Sequence, residues 1–161
     1  MNDVAWVPPD NVHLTLKFLG AVDAERLGAL TKTLTSAVST CAPFQLGLGR
    51  LGAYPSPGRP RVLWAVVDAG AASAALLAAR IDEALETLGF KRETRAFSPH
   101  ITLGRVRQPH AQPRLGEAMA ATRIVGTVDV TRVSLMRSDL SPRGARYTEL
   151  VAAPLASTPA G

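Results

Sequence analysis

The stretch HLTLKFLG occupies residues 13–20, and the stretch HITLGRVR occupies residues 100–107. Each begins with the pattern His-x-Thr-Leu, although the whole chain contains only three histidines. In a β-strand, residues two positions apart lie on the same face, so each histidine would lie beside its threonine. The residues between them are apolar, which predicts strands with one buried face and one polar face. The repeated pattern therefore predicts two matched polar sites.

The sequence around these two stretches alternates between helical and extended patterns. Apolar residues recur at helical spacing over 24–39, 71–88 and about 114–122. Patterns typical of strands cover 12–19, 44–51, 62–67, 97–106, 127–138 and 146–152. The resulting order is β-α-β-β-α-β-α-β-β, in which the unit β-α-β-β occurs twice. Strands and helices are too mixed for a doubly wound parallel sheet, so the order predicts an α+β fold.

The repeated unit predicts an internal duplication within one two-lobed domain. The copies cover roughly residues 12–67 and 71–152, in a domain over 1–155 that is followed by a disordered tail over 156–161. We expect two antiparallel sheets, related by a pseudo-twofold axis and flanked by helices, around a central cleft with one His-x-Thr pair on each side. Only the second copy is preceded by a helix, so an N-terminal strand and helix are expected to be missing. A complete chain would be a monomer, whereas an open sheet edge would favour association.

Composition limits the functional classes further. Apolar residues make up 47% of the chain and charged residues 19%, as in globular proteins that fold without stabilising cross-links. The single cysteine, Cys41, excludes an intrachain disulfide and favours a cytoplasmic location. The Ala-rich run at 69–79 is too short to span a bilayer, so we expect no membrane partner. A net charge of +5 is compatible with RNA or nucleotides.

Two imidazoles and two hydroxyls facing one another are suited to acid–base chemistry at phosphorus. One imidazole can activate water while the other protonates a leaving oxygen, and hydroxyls can donate to phosphate oxygens. The alternatives are a hydrogen-bonded core histidine for either motif alone and, for Cys41, ordinary packing. A zinc site is disfavoured, because His110 is the only other histidine and neither strand offers a carboxylate at ligand spacing. We therefore expect neither a metal nor a cofactor.

Four stretches resemble the bacterial and archaeal RNA 2′,3′-cyclic phosphodiesterases, also known as 2′-5′ RNA ligases, of the two-histidine phosphoesterase superfamily. They are WVPPDNVHLTLKFLG, RPRVLWAVV, FSPHITLGRVR and LMRSDLSPRGARYTEL, and the resemblance runs from about Trp6 to Leu155. It implies a bilobal fold without a metal, acting on RNA ends or cyclic nucleotides. It also implies hydrolysis of a 2′,3′-cyclic phosphate to a 2′-phosphomonoester, with reversible 2′-5′ ligation as a further activity.

The resemblance also implies roles for the paired motifs. By analogy, His13 is the proton donor and His100 the proton acceptor. Thr15 and Thr102 would hold the non-bridging oxygens of the phosphate. We expect these four residues to act together in one site.

A fifth residue follows from the resemblance less directly. Family members contact phosphate through an arginine five residues after the second histidine, which is Arg105 in this chain. Strict alternation puts Arg105 on the opposite face from His100, although a β-bulge at Gly104 would redirect it. The alternative is that Arg105 is an ordinary surface residue.

Other functions are compatible with the same residues. The same strand chemistry would suit a phosphodiesterase acting on another 2′-linked nucleotide, such as ADP-ribose cyclic phosphate or a 2′-5′ oligoadenylate. A nucleotide- or RNA-binding module without turnover is a third alternative. Tyr54 and Phe97 are candidates for stacking on a base, with ordinary packing as the alternative for each.

Overall fold

The computed structural model describes residues 3–108 and 113–157, which divide into two compact units. Each unit is assembled from three separate segments. The first comprises Met1–Thr15, Leu46–Ala71 and Pro99–Val128, and the second comprises Leu16–Gln45, Ala72–Ser98 and Asp129–Gly161. The His-x-Thr pairs both belong to the first unit.

Seven strands and three helices are found among the described residues. The strands are β1 (Val4–Trp6), β2 (Phe44–Tyr54), β3 (Val62–Val67), β4 (His100–Val106), β5 (Arg123–Val130), β6 (Arg132–Ser141) and β7 (Gly144–Pro154). The helices are α1 (Leu27–Val38), α2 (Ala71–Glu86) and α3 (Pro113–Ala121), and 3₁₀ turns cover Pro9–Asn11 and Ala24–Arg26. The predicted α+β class is confirmed.

The first unit is built on a five-stranded sheet in the order β1-β4-β3-β2-β5. The β1–β4, β3–β4 and β2–β3 pairs are antiparallel. One face of the sheet packs on α3 through a small apolar cluster of Val4, Leu63, Val106 and Met119. Alternation along β3 leaves Val62, Trp64 and Val66 half-buried on the other face. This second face carries the candidate site.

The second unit has its own core, formed by α1, α2 and the antiparallel β6–β7 pair. Its buried members come from these four elements and from the residues that follow α2 and β7: Leu30, Leu34, Val38, Leu77, Ile81, Leu85, Phe90, Val133, Leu135, Ala153 and Leu155. The apolar stripe predicted for the first helix supplies three of them, so the helical periodicity correctly identified a core face. Cys41 packs against the same cluster, in agreement with its packing alternative.

The strand predicted over residues 12–19 is wrong. Only Leu14 is paired there, in an isolated antiparallel bridge to Ile101. The expected alternation also fails, because the side chain of Lys17 is 4% exposed whereas Phe18 is 80% exposed. A lysine can occupy a buried position when it has a carboxylate partner, and Asp82 on α2 is that partner. The polar character of Lys17 and the apolar character of Phe18 predicted the opposite, an exposed lysine and a buried phenylalanine.

Among the residues that the structure describes, Asp82 is the only charged one that is buried as a whole. It forms an ion pair with Lys17, accepts a hydrogen bond from the amide of Glu93 at 3.1 Å, and lies 3.6 Å from Nε of Arg92. Burial alone raises the pKa of this carboxyl, but the Lys17 ammonium, the Glu93 amide and the Arg92 charge together hold it below its ordinary value. Lys17 also donates to the carbonyl oxygen of Lys91 at 2.9 Å. Asp82 thus ties the segment after the first motif to the segment that leads to the second.

Two further strand predictions need correction. The strand predicted over 127–138 is split into β5 and β6, with a break at Thr131, whose carbonyl oxygen accepts a hydrogen bond from the amide of Leu155. No glycine or proline marks this break, so the sequence pattern does not reveal it. Strand β1 was missed because three residues are too few for a periodic signal, and its pairing with β4 is what makes it a strand.

The predicted single domain with internal repeats stays a prediction, as does the disordered tail. Residues 158–161 of that tail lie outside the described residues. None of the helices that the structure describes is long and apolar enough to cross a membrane.

Candidate active site

A short turn positions the first histidine. Residues Pro9–Asn11 form a 3₁₀ turn that ends two positions before His13, closed by hydrogen bonds from the amides of Asn11 and Val12 to the carbonyl oxygens of Pro8 and Pro9. Nδ1 of His13 lies 2.6 Å from the carbonyl oxygen of Asn11. Because a carbonyl oxygen only accepts, this contact requires the proton on Nδ1. Nε2 is then the nitrogen that exchanges a proton with a substrate.

The bridge between Leu14 and Ile101 brings the two motifs together. The bridge pairs the middle residue of each His-x-Thr triplet, so a histidine and a threonine flank the paired residue on both segments. On β4, His100 and Thr102 are two residues apart and share the face of Trp64, which pairs with Thr102. His13, Thr15 and His100 are exposed, and Thr102 is half-buried.

The two motifs thus meet at one bridge, and each segment contributes one imidazole and one hydroxyl beside it. Such an arrangement can present one imidazole to each side of a bound group.

A β-bulge brings Arg105 to the same face. Trp64 pairs with Thr102, but its neighbour Leu63 pairs with Gly104, which leaves Leu103 as an extra residue on β4. The bulge reverses the alternation, so Arg105, opposite Val62, shares the face of His100 rather than the opposite face. The amide of Val7 donates to the carbonyl oxygen of Leu103 at 2.8 Å and holds the bulge from the β1 side.

Gly104 permits this geometry by its lack of a side chain. A Cβ built there would lie 2.8 Å from Cγ1 of Val4 and 3.1 Å from Cε3 of Trp6, closer than packed carbon atoms approach. The structure thus has the bulge that Gly104 was expected to allow. The glycine is required by the close approach of β1.

Two residues that support the histidines were not identified from the sequence. Asn11 acts through its carbonyl oxygen, and the turn residues before the motif were the available signal. Trp64 has its ring centroid 5.4 Å from that of His100, with a tilt of 52° between the rings. Trp64 belongs to the apolar run 62–67, which predicted only a buried strand. A side-chain contact between two strands produces no periodic pattern in the sequence of either strand.

The other candidate residues are placed as follows. Tyr54 pairs with Val62 and so shares the face of the site, and it is 60% exposed. Phe97 is half-buried and belongs to the second unit. His110 lies outside the described residues. Within residues 3–108 and 113–157, no group of three or more His, Cys, Asp or Glu side chains is arranged to hold a metal ion.

Comparison with known protein families gives a match over most of the chain. The model of the 2′-5′ RNA ligase superfamily matches residues 3–142. An RNA 2′,3′-cyclic phosphodiesterase of Methanothermobacter thermautotrophicus is 33% identical over 149 residues, which cover 91% of this chain and 80% of the relative.

Solved structures show the same similarity. A crystal structure of a Thermus thermophilus protein superposes with a TM-score of 0.81 at 29% identity, over 96% of this chain and 83% of that one. The crystal structure of Escherichia coli LigT complexed with 3′-AMP gives a TM-score of 0.75 at 28% identity, again over 96% and 83%. The similarity therefore extends over nearly the whole chain, including both motifs.

Proposed function

Because this chain belongs to the 2′-5′ RNA ligase superfamily, we propose that it hydrolyses 2′,3′-cyclic phosphates at RNA ends to 2′-phosphomonoesters. The relatives that bear the name RNA 2′,3′-cyclic phosphodiesterase support this activity. The observation that supports the proposal is the Leu14–Ile101 bridge, which pairs the middle residues of the two His-x-Thr motifs. A single motif would supply only one proton-transfer group.

In the proposed reaction, His100 takes a proton from water while the water oxygen forms a bond to phosphorus. The bond from phosphorus to O3′ breaks, and His13 donates its Nε2 proton to O3′. The products are a 2′-phosphomonoester and a 3′-hydroxyl. Each imidazole ends in the other's starting charge state, so a proton must return from His100 to His13 through solvent before the next turnover. All proton transfers use side chains of this chain, and the steps as written need neither metal nor cofactor.

The two hydroxyls and the guanidinium are proposed to hold the phosphate. Thr15 and Thr102 donate to the non-bridging oxygens, and Arg105 donates to the same oxygens from the end of the bulge. Negative charge on these oxygens grows in the transition state, and preorganised donors stabilise that charge more than they stabilise the ground state. The three groups would therefore affect kcat as well as substrate binding.

The contact between His13 and Asn11 orients the ring of His13. The carbonyl acceptor fixes a proton on Nδ1 and leaves Nε2 for the substrate, and the role of His13 as the donor follows from the family resemblance. The proposed substrates are RNA ends or cyclic nucleotides, with reversible 2′-5′ ligation by the same site. One chain supplies all five residues, which supports a monomer as the active form, and the single cysteine supports a cytoplasmic location.

An assay of product chemistry tests the proposed activity. The protein is incubated, with and without EDTA, with an oligonucleotide that ends in a 2′,3′-cyclic phosphate, and the product is resolved as a 2′- or 3′-phosphate by ³¹P NMR. We expect the 2′-phosphate at the same rate in both conditions. A 3′-phosphate product, or loss of turnover in EDTA, would contradict the proposed bond cleavage or the metal-free steps.

Two further substrates separate the alternatives. ADP-ribose cyclic phosphate and a 2′-5′ oligoadenylate are assayed under the same conditions. A higher kcat/KM for either would reassign the substrate, and binding without turnover of any of the three would indicate a binding module. The His13→Ala/His100→Ala double variant, purified in parallel, controls for contaminating phosphodiesterase.

A further inference from the structure

The side chain of Trp64 lies next to two of the proposed site residues. In the β3–β4 register it lies directly across from Thr102 and diagonally from His100. Its ring centroid lies 5.4 Å from that of His100, and the planes are tilted by 52°. This distance is within the range of packed aromatic pairs. Trp64 therefore contacts the imidazole that is proposed to activate water.

Gly52 holds the indole from the other side. It pairs with Trp64 in the β2–β3 register, and a Cβ built on it would overlap Nε1, Cδ1 and Cε2 of the indole. The indole thus lies across the space that a side chain at this position would fill. Because it packs over Gly52 on one strand and contacts His100 on another, its position is determined by both neighbours.

Each of the two histidines has a contact that bears on its orientation. His13 donates a hydrogen bond from Nδ1 to the Asn11 carbonyl oxygen. His100 is exposed at the start of β4 and has the indole of Trp64 beside it. An exposed side chain on a strand commonly populates more than one χ1 rotamer, and a packed neighbour restricts it.

We propose that Trp64 is a positioning residue, whose indole holds the imidazole of His100 in the rotamer that takes the proton from water. The ring contact supports the orientation of His100 by Trp64. The expected effect on catalysis rests on the proposed function. A small displacement of a catalytic group lowers the rate of the chemical step, whereas binding through Thr15, Thr102 and Arg105 remains. Replacement of Trp64 should therefore lower kcat and leave KM nearly unchanged.

Steady-state kinetics on the cyclic-phosphate substrate test this split. Trp64→Leu is expected to lower kcat by about 10- to 100-fold with KM changed by less than about twofold, whereas Trp64→Phe keeps a ring beside His100 and retains most of kcat. Gly52→Ala displaces the indole without changing any residue in contact with His100, and should lower kcat similarly. The effects of Gly52→Ala and Trp64→Leu should not add in the double variant.

The matched control is Trp6→Leu. Trp6 lies in the same sheet but pairs with Gly104, which places it on the opposite face. Its replacement should leave both constants unchanged. Melting curves for every variant identify any loss of folded protein. If Trp64→Leu keeps wild-type kcat while folded, or if Trp64→Phe is as slow as Trp64→Leu, the positioning role is refuted.

A measurement without substrate separates this proposal from the proposed function. Side-chain NMR couplings report the χ1 rotamer populations of His100 in free protein. One dominant rotamer in the wild type and several in Trp64→Leu would support positioning, whatever substrate the site takes. The same single rotamer in both proteins would overturn it, even if the cyclic phosphate is hydrolysed. Absence of turnover in wild-type protein would count against the proposed function alone.

Discussion

Leu14 and Ile101 form an isolated antiparallel bridge, which joins the middle residues of the two His-x-Thr motifs. It connects two chain segments separated by more than half of the sequence. Both residues contribute only backbone pairing and apolar side chains. Ile101 is buried and Leu14 is half-buried, so the bridge also anchors the exposed motif residues to the sheet.

The threonine hydroxyls are expected to contribute mainly in the transition state. Thr15→Val and Thr102→Val keep the side-chain shape and remove the donor, so each should lower kcat by about 10²-fold or more. Steady-state kinetics of the two variants measure this loss. Thr148→Val, an exposed threonine on β7, is the matched control. A valine variant of either site threonine with wild-type kcat/KM would assign that threonine a structural role.

Arg105 should matter for catalysis because the bulge places it on the same face of the sheet as His100. Arg105→Ala is expected to raise KM and lower kcat, together at least about tenfold in kcat/KM, since a charge-assisted donor to phosphate is lost. Arg105→Lys should recover only part, because an ammonium cannot donate in the paired geometry of a guanidinium. The control is Arg114→Ala on α3, which packs on the other face of the sheet. Unchanged kcat and KM in Arg105→Ala would indicate that Arg105 is an ordinary surface residue.

Gly104 should be intolerant of a side chain. Gly104→Ala places a Cβ 2.8 Å from Cγ1 of Val4, so we expect a loss of about 1–3 kcal/mol in the free energy of unfolding. Urea denaturation measures that loss. Gly126→Ala is the control, because no atom lies within 4 Å of the Cβ it would introduce on β5. Equal stability of the two variants would show that β1 does not restrict this position.

Asp82 should make the stability of the protein sensitive to acid. Its folded-state pKa is depressed, so its contribution is complete above the unfolded value of about 3.8 and is lost as pH falls through the lower folded value. At pH 7, Asp82→Asn leaves Lys17 buried without its charge partner, which should cost about 3–5 kcal/mol. The wild-type and variant unfolding free energies should begin to converge as pH falls below about 3.8 and meet once pH is below the folded pKa. A difference that stays constant from pH 7 to pH 2 would contradict the ion pair.

A double variant separates the charge of Lys17 from its packing. Lys17→Met/Asp82→Leu removes both charges and keeps apolar volume, and should be more stable than Asp82→Asn alone. If it is no more stable, the loss in Asp82→Asn comes from packing rather than from an unpaired ammonium.

Local patterns predicted the elements that are long and self-contained. The range 62–67 was predicted with the same bounds that the structure has for β3, and α1 and α2 differ from prediction only near their ends. Gly89, with φ of +86°, ends the second helical region as expected for a residue after a helix. In these segments the apolar residues that produce the periodic pattern are also the ones that are buried.

The features that sequence patterns missed depend on a partner elsewhere in the chain. β1 exists because β4 pairs with it, and Lys17 is buried because Asp82 neutralises it. The contact of Trp64 with His100 depends on the register of two strands and on the absence of a side chain at Gly52. Arg105 lies on the face of the site because β4 contains a bulge. Gly104 allows such a bulge, but its presence in the sequence does not predict one. The internal duplication remains a prediction.

The most direct test of the paired histidines is a double-mutant cycle on the hydrolysis of the 2′,3′-cyclic phosphate. His13→Ala and His100→Ala should each lower kcat by about 10²–10⁴-fold in a folded protein, and the double variant should be scarcely slower than either, because the two groups act in one step. His110→Ala, which changes the only other histidine, should retain wild-type kcat. Near wild-type kcat in either single variant, or fully additive losses in the double variant, would contradict a paired acid and base.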